Sequence, residues 1–592
     1  MPDLKNKRDE QVYIPMRRPG RGGINMNFEK PKNFKATIKR LWSFFGHEKK
    51  LFMIIFAFVI IDSALLLSVP YLTGKAVDAM SFGIGNVQFA EIKLIVFALL
   101  CVYLCDLLLS ILNNFLMAGV SQRIVRNIRI TLFSKLQRMS ISFFDIHTHG
   151  DLMSRFTNDI DNISTTISSS TVSLMNDVVS ITGSFLVMLL LNPLLTLASV
   201  LIVPLVLLLS KTVTKKTRVL FKAQQNALGH LNGHIEESIS GLQVVKAFNH
   251  ENKVIQDFDK INQELFSVGL KAQITSGYLM PLMNIINNIG FVIIAVSGGV
   301  LAINNMITIG LIASFLSYSK QFSRPLNDVA NVYNTLQTAA AGAERIFEVL
   351  DDAEESSDIP DAKKLVKTKG NVEFQNVTFG YREGISILKD ISFTAASGSN
   401  IALVGPTGAG KTTIVNLVNR FYDVTGGRIL IDGNDIRTYT RESLRSCFGI
   451  VLQDTYLFSG TIADNIRYGR LAAKDEEVKL AAREAGADSF ICKLEKGYET
   501  ILSESGGNLS QGQRQLIAIA RAILANPSIL ILDEATSSVD TRTEMKIQQA
   551  MVNLMKGRTC FIIAHRLSTI READIIMVIN EGRIVESGSH GI

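Results

Sequence analysis

The stretch Gly405-Pro406-Thr407-Gly408-Ala409-Gly410-Lys411-Thr412-Thr413 decides how the C-terminal part of this chain folds. It matches the pattern GxxxxGK(S/T) and directly follows a short apolar run, Asn400 to Val404, which we predict to be a strand. The glycines let the backbone curl so that its N–H groups face phosphate oxygens, and the Lys411 side chain can reach the β- and γ-phosphates. The sequence therefore predicts an α/β domain built around a phosphate-binding loop, in which the Thr412 hydroxyl suits Mg²⁺.

A second apolar strand is predicted for Ile529-Leu-Ile-Leu-Asp533, and Glu534 follows it directly. A buried parallel strand places its last residues at the carboxyl edge of the sheet, beside the phosphate-binding loop. Asp533 is then placed to hold Mg²⁺ through water, and Glu534 to orient or deprotonate the attacking water. Alternatively, Asp533 and Glu534 are an ordinary acidic start of a helix. This interpretation does not account for their expected position beside the phosphate-binding loop.

The part of the chain before residue 340 contains long apolar runs, which contribute strongly to the 47% hydrophobic content. A helix needs about 20 apolar residues to cross a hydrocarbon core of about 30 Å. Six segments approach this length, and we predict that each spans a membrane. They are Leu51 to Leu72, Lys93 to Met117, Val172 to Leu191, Leu194 to Ser210, Tyr278 to Ile303 and Ile307 to Ser323.

Basic residues are frequent in the two long polar stretches that join spans two to three and four to five. By the positive-inside rule these stretches face the cytoplasm, together with both termini and the α/β domain. We therefore predict a multi-pass protein of the cytoplasmic membrane, in contact with its lipids. We predict that residues 1–35 form a disordered basic arm, 36–340 a six-helix transmembrane domain with long cytoplasmic loops, 341–369 a linker and 370–592 the nucleotide-binding α/β domain.

Two carboxylates lie inside predicted spans, Asp62 in the first and Asp106 in the second. A carboxylate at bilayer depth is costly unless it faces protein or water, so each has either a packing role or a functional role inside the bundle. If Asp62 or Asp106 lines a cavity, it would favour amphipathic cations as substrates. Both interpretations remain open at this point.

The order of the motifs resembles that of the ATP-binding cassette (ABC) transporters. The phosphate-binding loop is followed by Gln453, by Leu509-Ser510-Gln511-Gly512-Gln513, by Asp533-Glu534 and by His565. The resemblance covers essentially the whole chain and is closest to half-transporter exporters of the type IV, multidrug-resistance-like kind. Phe143-Phe-Asp145 and the stretch from Gly150 to Asp159 add to it. It implies a membrane all-α domain fused to a cytosolic α/β ATPase domain that binds ATP and Mg²⁺.

The resemblance also implies roles for single residues. Tyr381 matches the aromatic that stacks on adenine, and Gln453 matches the residue that contacts Mg²⁺ or water. Asp540 matches a loop that meets the opposite subunit, and His565 matches the switch histidine at the γ-phosphate. Glu534, His565, Lys411 and Gln453 form the implied catalytic set, while Thr412, Gln453 and Asp533 form the implied Mg²⁺ set.

In this family two ATPase domains close head to tail, so each nucleotide lies between one phosphate-binding loop and the signature of the other subunit. The usual signature LSGGQ reads Leu509-Ser-Gln-Gly-Gln513 here, and Gln511 adds bulk and restricts φ and ψ where glycine is usual. We predict a heterodimer with one degenerate site, whose partner carries a regular signature and a defective Walker B acid. The alternative is a homodimer that tolerates Gln511.

These observations predict ATP-driven export of hydrophobic or amphipathic substrates of the multidrug type. The alternative is a lipid flippase or a peptide exporter of the same fold that works as a homodimer. A soluble cassette ATPase acting on DNA or ribosomes has no use for six apolar spans, so we predict no nucleic-acid partner. An intact Glu534 argues against a channel or regulator that does not need ATP turnover.

Overall fold

The structure is a computed structural model that describes residue 31 and residues 33–80, 87–382, 384–453, 455–503, 506–533, 541–564 and 570–590. The chain divides into two compact units. The helical unit comprises Met1–Met139 and Ile146–Glu354, and the α/β unit comprises Ser140–Asp145 and Glu355–Ile592.

The described residues from 33 to 351 are mostly helical. Its helices are α1 (Phe34–Phe44), α2 (Lys49–Met80), α3 (Phe89–Leu136), α4 (Ile141–Ile146), α5 (His149–Leu191), α6 (Pro193–Ser240), α7 (Leu242–Ala247), α8 (Glu251–Ile303) and α9 (Ile309–Asp351). Helix α5 contains two π-helical turns, Arg155–Asp159 and Thr166–Ser170. Such turns are rare and are often found where a helix serves a function.

Within the described residues, five helices are long and apolar enough to cross a membrane, namely α2, α3, α5, α6 and α8. Five of the predicted spans lie inside these helices and are confirmed by length and composition. The sixth, Ile307 to Ser323, lies mostly in α9, which is not among the five, and it stays a prediction. Helix α3 has 48 residues, about 72 Å at 1.5 Å per residue, so it extends well beyond a hydrocarbon core of about 30 Å.

Helices α2 and α9 pack closely along a common seam. The Tyr318 hydroxyl donates to the carbonyl of Leu67 at 2.6 Å, and the Ser314 hydroxyl donates to the carbonyl of Pro70 at 3.0 Å. At the end of the seam, the Asp78 carboxylate accepts from the N–H of Gly310 at 2.7 Å. Hydrogen bonds between side chains and backbone groups therefore hold these two helices together, as polar side chains commonly do between membrane helices.

The described residues of the α/β unit form three sheets. A six-stranded sheet has the order β12-β11-β3-β10-β9-β6, a four-stranded antiparallel sheet has the order β2-β1-β4-β5, and β7 pairs with β8. In the six-stranded sheet β11, β3, β10, β9 and β6 are parallel, and only β12 is antiparallel. The strands are β1 (Val372–Phe379), β2 (Leu388–Ala395), β3 (Asn400–Val404), β4 (Gly426–Ile431), β5 (Asn434–Asp435), β6 (Phe448–Val451), β7 (Gly460–Thr461), β8 (Ile501–Leu502), β9 (Ile529–Asp533), β10 (Thr559–Ile563), β11 (Ile575–Asn580) and β12 (Arg583–Gly588).

Helices cover the faces of the six-stranded sheet, which explains why its central strands are largely apolar. All residues of β10 and the first four of β9 are buried, as expected for parallel strands covered on both faces. The helices are α10 (Lys411–Val418), α11 (Arg441–Ser446), α12 (Ile462–Arg467), α13 (Asp475–Glu484), α14 (Asp488–Ile491), α15 (Gln511–Ala525) and α16 (Thr541–Met555).

Candidate active site

The phosphate-binding loop connects β3 to α10 and has a backbone that only glycine can supply at two points. Gly410 has a φ of +109°, and a Cβ at this residue would lie 2.6 Å from the Cδ2 atom of Leu388. A Cβ on Gly405 would lie 2.1 Å from the carbonyl oxygen of Ile579. The loop is therefore held against the neighbouring strands, and its backbone N–H groups are arranged around the start of α10.

Lys411 is the first residue of α10 and is 7% exposed. Its ammonium donates to the carbonyls of Gly405 at 2.7 Å and Pro406 at 3.0 Å, so the side chain curls back over the loop. No side chain caps this helix, whose N-cap residue is Gly410. A positive side chain and unpaired N–H groups at a helix start form an arrangement suited to a polyphosphate.

The carboxyl ends of the parallel strands bring the predicted site residues to one edge of the sheet. Leu403 in β3 is level with Ile563 in β10, which is level with Asp533 in β9. Gln453 follows β6, the strand that pairs with β9 on its other side. The phosphate-binding loop, Asp533 and Gln453 thus share this edge, in agreement with the expected arrangement of an α/β nucleotide site.

The oxygen donors at this edge fit Mg²⁺. Thr412 is exposed and Asp533 is half-buried at the end of its strand, and Mg²⁺ prefers hydroxyl and carboxylate oxygens together with substrate phosphates. Thr412, Asp533 and the side-chain amide oxygen of Gln453 are the groups that would hold the ion. When bound, Mg²⁺ neutralises charge on the phosphate oxygens.

The signature segment starts helix α15. The Ser510 hydroxyl accepts from the Gln513 N–H at 3.3 Å, and the Gln513 side chain accepts from the Ser510 N–H at 2.9 Å, which forms a capping box. Gln511 is the first helical residue, is half-buried and has no left-handed φ, while Gly512 is buried. The expected backbone restriction at Gln511 therefore has no cost, because any residue adopts this conformation. Only the bulk of the Gln511 side chain can then impair the signature.

Three predicted site residues, Glu534, Asp540 and His565, lie outside the described residues. Strand β9 ends immediately before Glu534, and β10 ends two residues before His565. Helix α16 begins immediately after Asp540. The roles of all three residues stay predictions.

Tyr381 belongs to an aromatic cluster beside the phosphate-binding loop. Its ring is 5.0 Å from that of Phe379 and 5.0 Å from that of Tyr422, both in edge contacts. Its hydroxyl lies 3.3 Å from the Thr413 hydroxyl, and the side chain is 46% exposed. The ring is therefore held by neighbouring aromatic rings and is still accessible, as an adenine-stacking residue requires.

Sequence reasoning missed two residues of this region, Tyr422 and its hydrogen-bond partner Asp145. The Tyr422 hydroxyl donates to the Asp145 carboxylate in α4. The sequence indicates Asp145 only as part of Phe143-Phe-Asp145, which adds to the family resemblance. For Tyr422 the sequence offers no pattern beyond its position shortly after the phosphate-binding loop.

Asp62 in α2 and Asp106 in α3 lie close enough for their carboxyl groups to interact. Asp62 is 6% exposed, and its Oδ1 atom has no hydrogen-bond partner among the described residues. Asp106 is half-buried. The two helices therefore bring together the carboxylates that were singled out separately in the sequence.

A bundle of apolar helices joined to a phosphate-binding loop and a capped signature helix defines a membrane transporter driven by a cassette ATPase. Residues 52–326 match the family description "ABC transporter transmembrane region", and residues 388–537 match "ABC transporter". The chain belongs to the ABC transporter family. It hydrolyses ATP, and this hydrolysis is coupled to transport.

Relatives of similar length agree with this assignment. The ABC transporter ATP-binding protein YfiC of Bacillus subtilis is 47% identical over 95% of this chain and 92% of its own. A "fatty acid ABC transporter ATP-binding/permease protein" of Mycobacterium bovis is 45% identical over 85% of this chain and 80% of its own. An "ATP-dependent lipid A-core flippase" of Syntrophus aciditrophicus is 38% identical over 95% of this chain and 94% of its own.

The structure is also similar to a solved bacterial Atm1-family ABC exporter with ATP bound. The TM-score is 0.73 and the identity 33%, over 92% of this chain and 95% of the other. The chain therefore has the fold of an ABC exporter, binds ATP, lies in a membrane and acts as a dimer.

Proposed function

We propose that this chain is one half of a dimeric exporter that moves hydrophobic or amphipathic molecules out of the cytoplasm, with acyl-chain lipids as the foremost cargo class. Two relatives are named for a fatty acid and for lipid A-core, and this observation carries the choice of cargo. The apolar helices α2, α3, α5, α6 and α8 suit such cargo, because a largely apolar wall with few polar groups binds an acyl chain without a spaced motif.

The cargo is tested with the protein and its partner subunit reconstituted in liposomes. Fatty acids, glycolipids, amphipathic cations and peptides are added separately, and the ATPase rate and the movement of labelled cargo are measured. Acyl-chain lipids should stimulate ATPase and be transported, whereas stimulation by peptides alone would contradict the proposal. The Glu534→Gln variant serves as the inactive control.

At the ATP site, Glu534 acts as the general base for the attacking water. Lys411 and His565 stabilise the charge that develops on the γ-phosphate, and Thr412, Gln453 and Asp533 hold Mg²⁺. The Glu534→Gln variant should bind ATP and remain in a closed state. Hydrolysis at the normal rate by that variant would contradict the assignment of the base.

The partner is a different chain with a regular signature and a defective Walker B acid. The support is Gln511, which stands at the first position of α15 where its side chain adds bulk to the signature. The chain purified alone should therefore show little transport-linked ATPase activity. A fully active self-dimer would instead favour the homodimer.

A second cargo class, amphipathic cations of the multidrug type, is favoured by the carboxyl pair of Asp62 and Asp106. The buried Oδ1 atom of Asp62 has no hydrogen-bond partner among the described residues, so it could accept a hydrogen bond from a ligand cation that reached it. The Asp62→Asn and Asp106→Asn variants should lose transport of cationic dyes while retaining that of neutral lipids. Equal effects on both would remove cations as a distinct cargo.

A further inference from the structure

A turn of four residues, Arg420–Asp423, follows the phosphate-binding helix α10 and is rigidly fixed. Arg420 has a φ of +52°, and its side chain is only 5% exposed. The guanidinium donates to the carbonyls of Tyr439 at 3.2 Å and Ile436 at 3.4 Å. The N–H of Phe421 donates back to the carbonyl of Asn416 in α10 at 3.0 Å. Any shift of α10 is therefore passed to this turn.

The linker that precedes the α/β domain is bound at the same turn. The Asp423 carboxylate accepts from Arg420 at 3.0 Å and from Arg441 at 3.3 Å. The N–H of Arg441 in turn donates to the linker residue Asp358 at 3.2 Å. One side of the turn is thus connected to the chain that arrives from α9.

Tyr422 connects the other side of the turn to α4. Its ring lies 5.0 Å from the ring of Tyr381 at an angle of 87°, and 5.6 Å from the ring of Phe379. Its hydroxyl donates to the Asp145 carboxylate. Burial raises the pKa of the Tyr422 phenol above its usual range, and the hydrogen bond to Asp145 raises it further. The hydroxyl therefore keeps its proton and remains the donor.

We propose that Tyr422 is a positioning residue that transmits the occupancy of the adenine-binding face of Tyr381 to helix α4. A purine stacked on the accessible face of Tyr381 fixes that ring, the edge contact then fixes Tyr422, and the hydroxyl of Tyr422 orders Asp145. Helix α4 lies in the chain between α3 and α5. The inference deepens the proposed ATP site and rests on the stacking role of Tyr381.

The coupling must be reciprocal. If a bound purine orders α4, then an ordered α4 strengthens purine binding by the same factor, which for coupled sites is commonly about 5- to 150-fold. Loss of the Tyr422 hydroxyl should therefore weaken ATP binding and remove the ordering of α4 together. A side chain that merely fills space would change neither quantity, because phenylalanine keeps the ring.

The experiment measures hydrogen exchange of the peptide that contains Ser140–Asp145 in the complete transporter in lipid nanodiscs. The ligands are ATP, a non-hydrolysable ATP analogue and inorganic tripolyphosphate, which occupies the phosphate-binding loop without a purine. We expect both adenine nucleotides to slow exchange of this peptide by about fivefold or more. Tripolyphosphate should leave its exchange unchanged.

The Tyr422→Phe variant should lose the effect of ATP on this peptide, and its Kd for ATP should rise by the same factor. Asp145→Ala removes the same hydrogen bond from an exposed side chain, so it tests the inference without disturbing the aromatic cluster. Tyr498→Phe is the matched control, because its hydroxyl donates to Asp488 at 2.6 Å elsewhere in the α/β unit. In this variant, the Kd for ATP and the effect of ATP on exchange of the Ser140–Asp145 peptide should equal those of the unchanged protein.

The inference is overturned if Tyr422→Phe and Asp145→Ala retain full protection by ATP, or if tripolyphosphate protects the peptide as well as ATP does. The Tyr381→Ala variant distinguishes a failure of the stacking assignment from a failure of the coupling through Tyr422. Its Kd for ATP is measured directly. If that Kd does not change, Tyr381 is not the adenine-binding residue, whatever the exchange of α4 shows.

Discussion

Arg345 in α9 forms a two-point ion pair with Asp159 in α5, with its Nε atom 2.9 Å from Oδ2 and its Nη2 atom donating to Oδ1. The Asp159 side chain is 2% exposed and lies in the first π-helical turn of α5. Arg155 of the same turn donates to the carbonyl of Arg345 at 2.8 Å and to Asp151 at 2.9 Å. The stretch from Gly150 to Asp159 was singled out in the sequence only because it resembles the ABC exporters. In the structure it connects α5 to α9.

Replacement of Arg345 by Met should destabilise the helical unit. Methionine preserves the aliphatic packing but leaves the buried Asp159 carboxylate without its main counter-charge, which costs about 3 kcal/mol, at the lower end of the range because Arg345 is partly exposed. The denaturation midpoint of the purified protein in detergent measures the loss. The double variant Arg345→Met with Asp159→Asn should recover part of it, because it removes the buried charge.

The exposed pair of Arg129 and Asp161 is the control for this prediction. Its atoms lie 3.2 Å apart, but the two side chains are 47% and 68% exposed. Arg129→Gln should cost less than about 1 kcal/mol, as is usual for surface pairs. Equal losses for Arg345→Met and Arg129→Gln would mean that burial of Asp159 has no energetic role.

A methyl group on Gly74 should force α2 and α9 apart. A Cβ at Gly74 would lie 2.0 Å from the Ser314 hydroxyl and 2.4 Å from the carbonyl oxygen of Gly310, and a backbone carbonyl cannot move aside as a side chain can. Overpacking of this kind costs about 1 to 3 kcal/mol. We expect Gly74→Ala to lower the temperature at which the protein loses its monodisperse elution profile.

Gly299→Ala in α8 is the matched control, because a Cβ there meets no atom within 4 Å. This variant should retain the original thermal stability or exceed it, since alanine favours a helix more than glycine does. If Gly74→Ala proves as stable as Gly299→Ala, the close approach of α2 and α9 is not required for stability.

Local patterns were sufficient to predict several elements of the fold. The strands expected at Asn400 to Val404 and Ile529 to Asp533 have those bounds in the structure. Five apolar runs are helices long enough to cross a membrane. Alternation, apolar run length and the glycine pattern of the phosphate-binding loop depend on neighbours in the chain, so one sequence reveals them.

The contacts that connect distant segments could not be predicted in this way. Tyr422 and Asp145 are 277 residues apart, and Arg345 and Asp159 are 186 residues apart. Their pairing depends on how helices and sheets are arranged in space, and a lone tyrosine or aspartate gives no pattern. For the same reason Asp62 and Asp106 were identified individually, and only the packing of α2 on α3 made them a pair.

The five cysteines should differ sharply in their reactivity with a maleimide. Cys560 is fully buried in β10, and burial raises its pKa to about 12. Burial also raises the pKa of Cys447. Because the thiolate is the reactive form, neither should be labelled in the folded protein between pH 7 and pH 9. The exposed Cys492 should be labelled, and faster as the pH rises.

Peptide mapping by mass spectrometry identifies the labelled cysteines. Denaturation in detergent at pH 8 is the control, because it exposes Cys447 and Cys560 and should allow both to react. Labelling of Cys560 in the folded protein at the rate of Cys492 would contradict the burial of β10.

Substitution of Gln511 should reveal whether its side chain impairs the signature. Gln511 is the first residue of α15 and has no left-handed φ, so its effect on the ATP site that it faces must come from bulk and not from backbone strain. Gln511→Ala should therefore raise the ATPase rate of the chain purified alone, in whose self-dimer each site combines Glu534 with a signature that carries Gln511, as much as Gln511→Gly does. An increase of about three- to tenfold corresponds to about 1 kcal/mol of the activation barrier. If only the glycine variant is faster, the backbone is the cause, and if neither is faster, the signature is not impaired and the argument for a degenerate site fails.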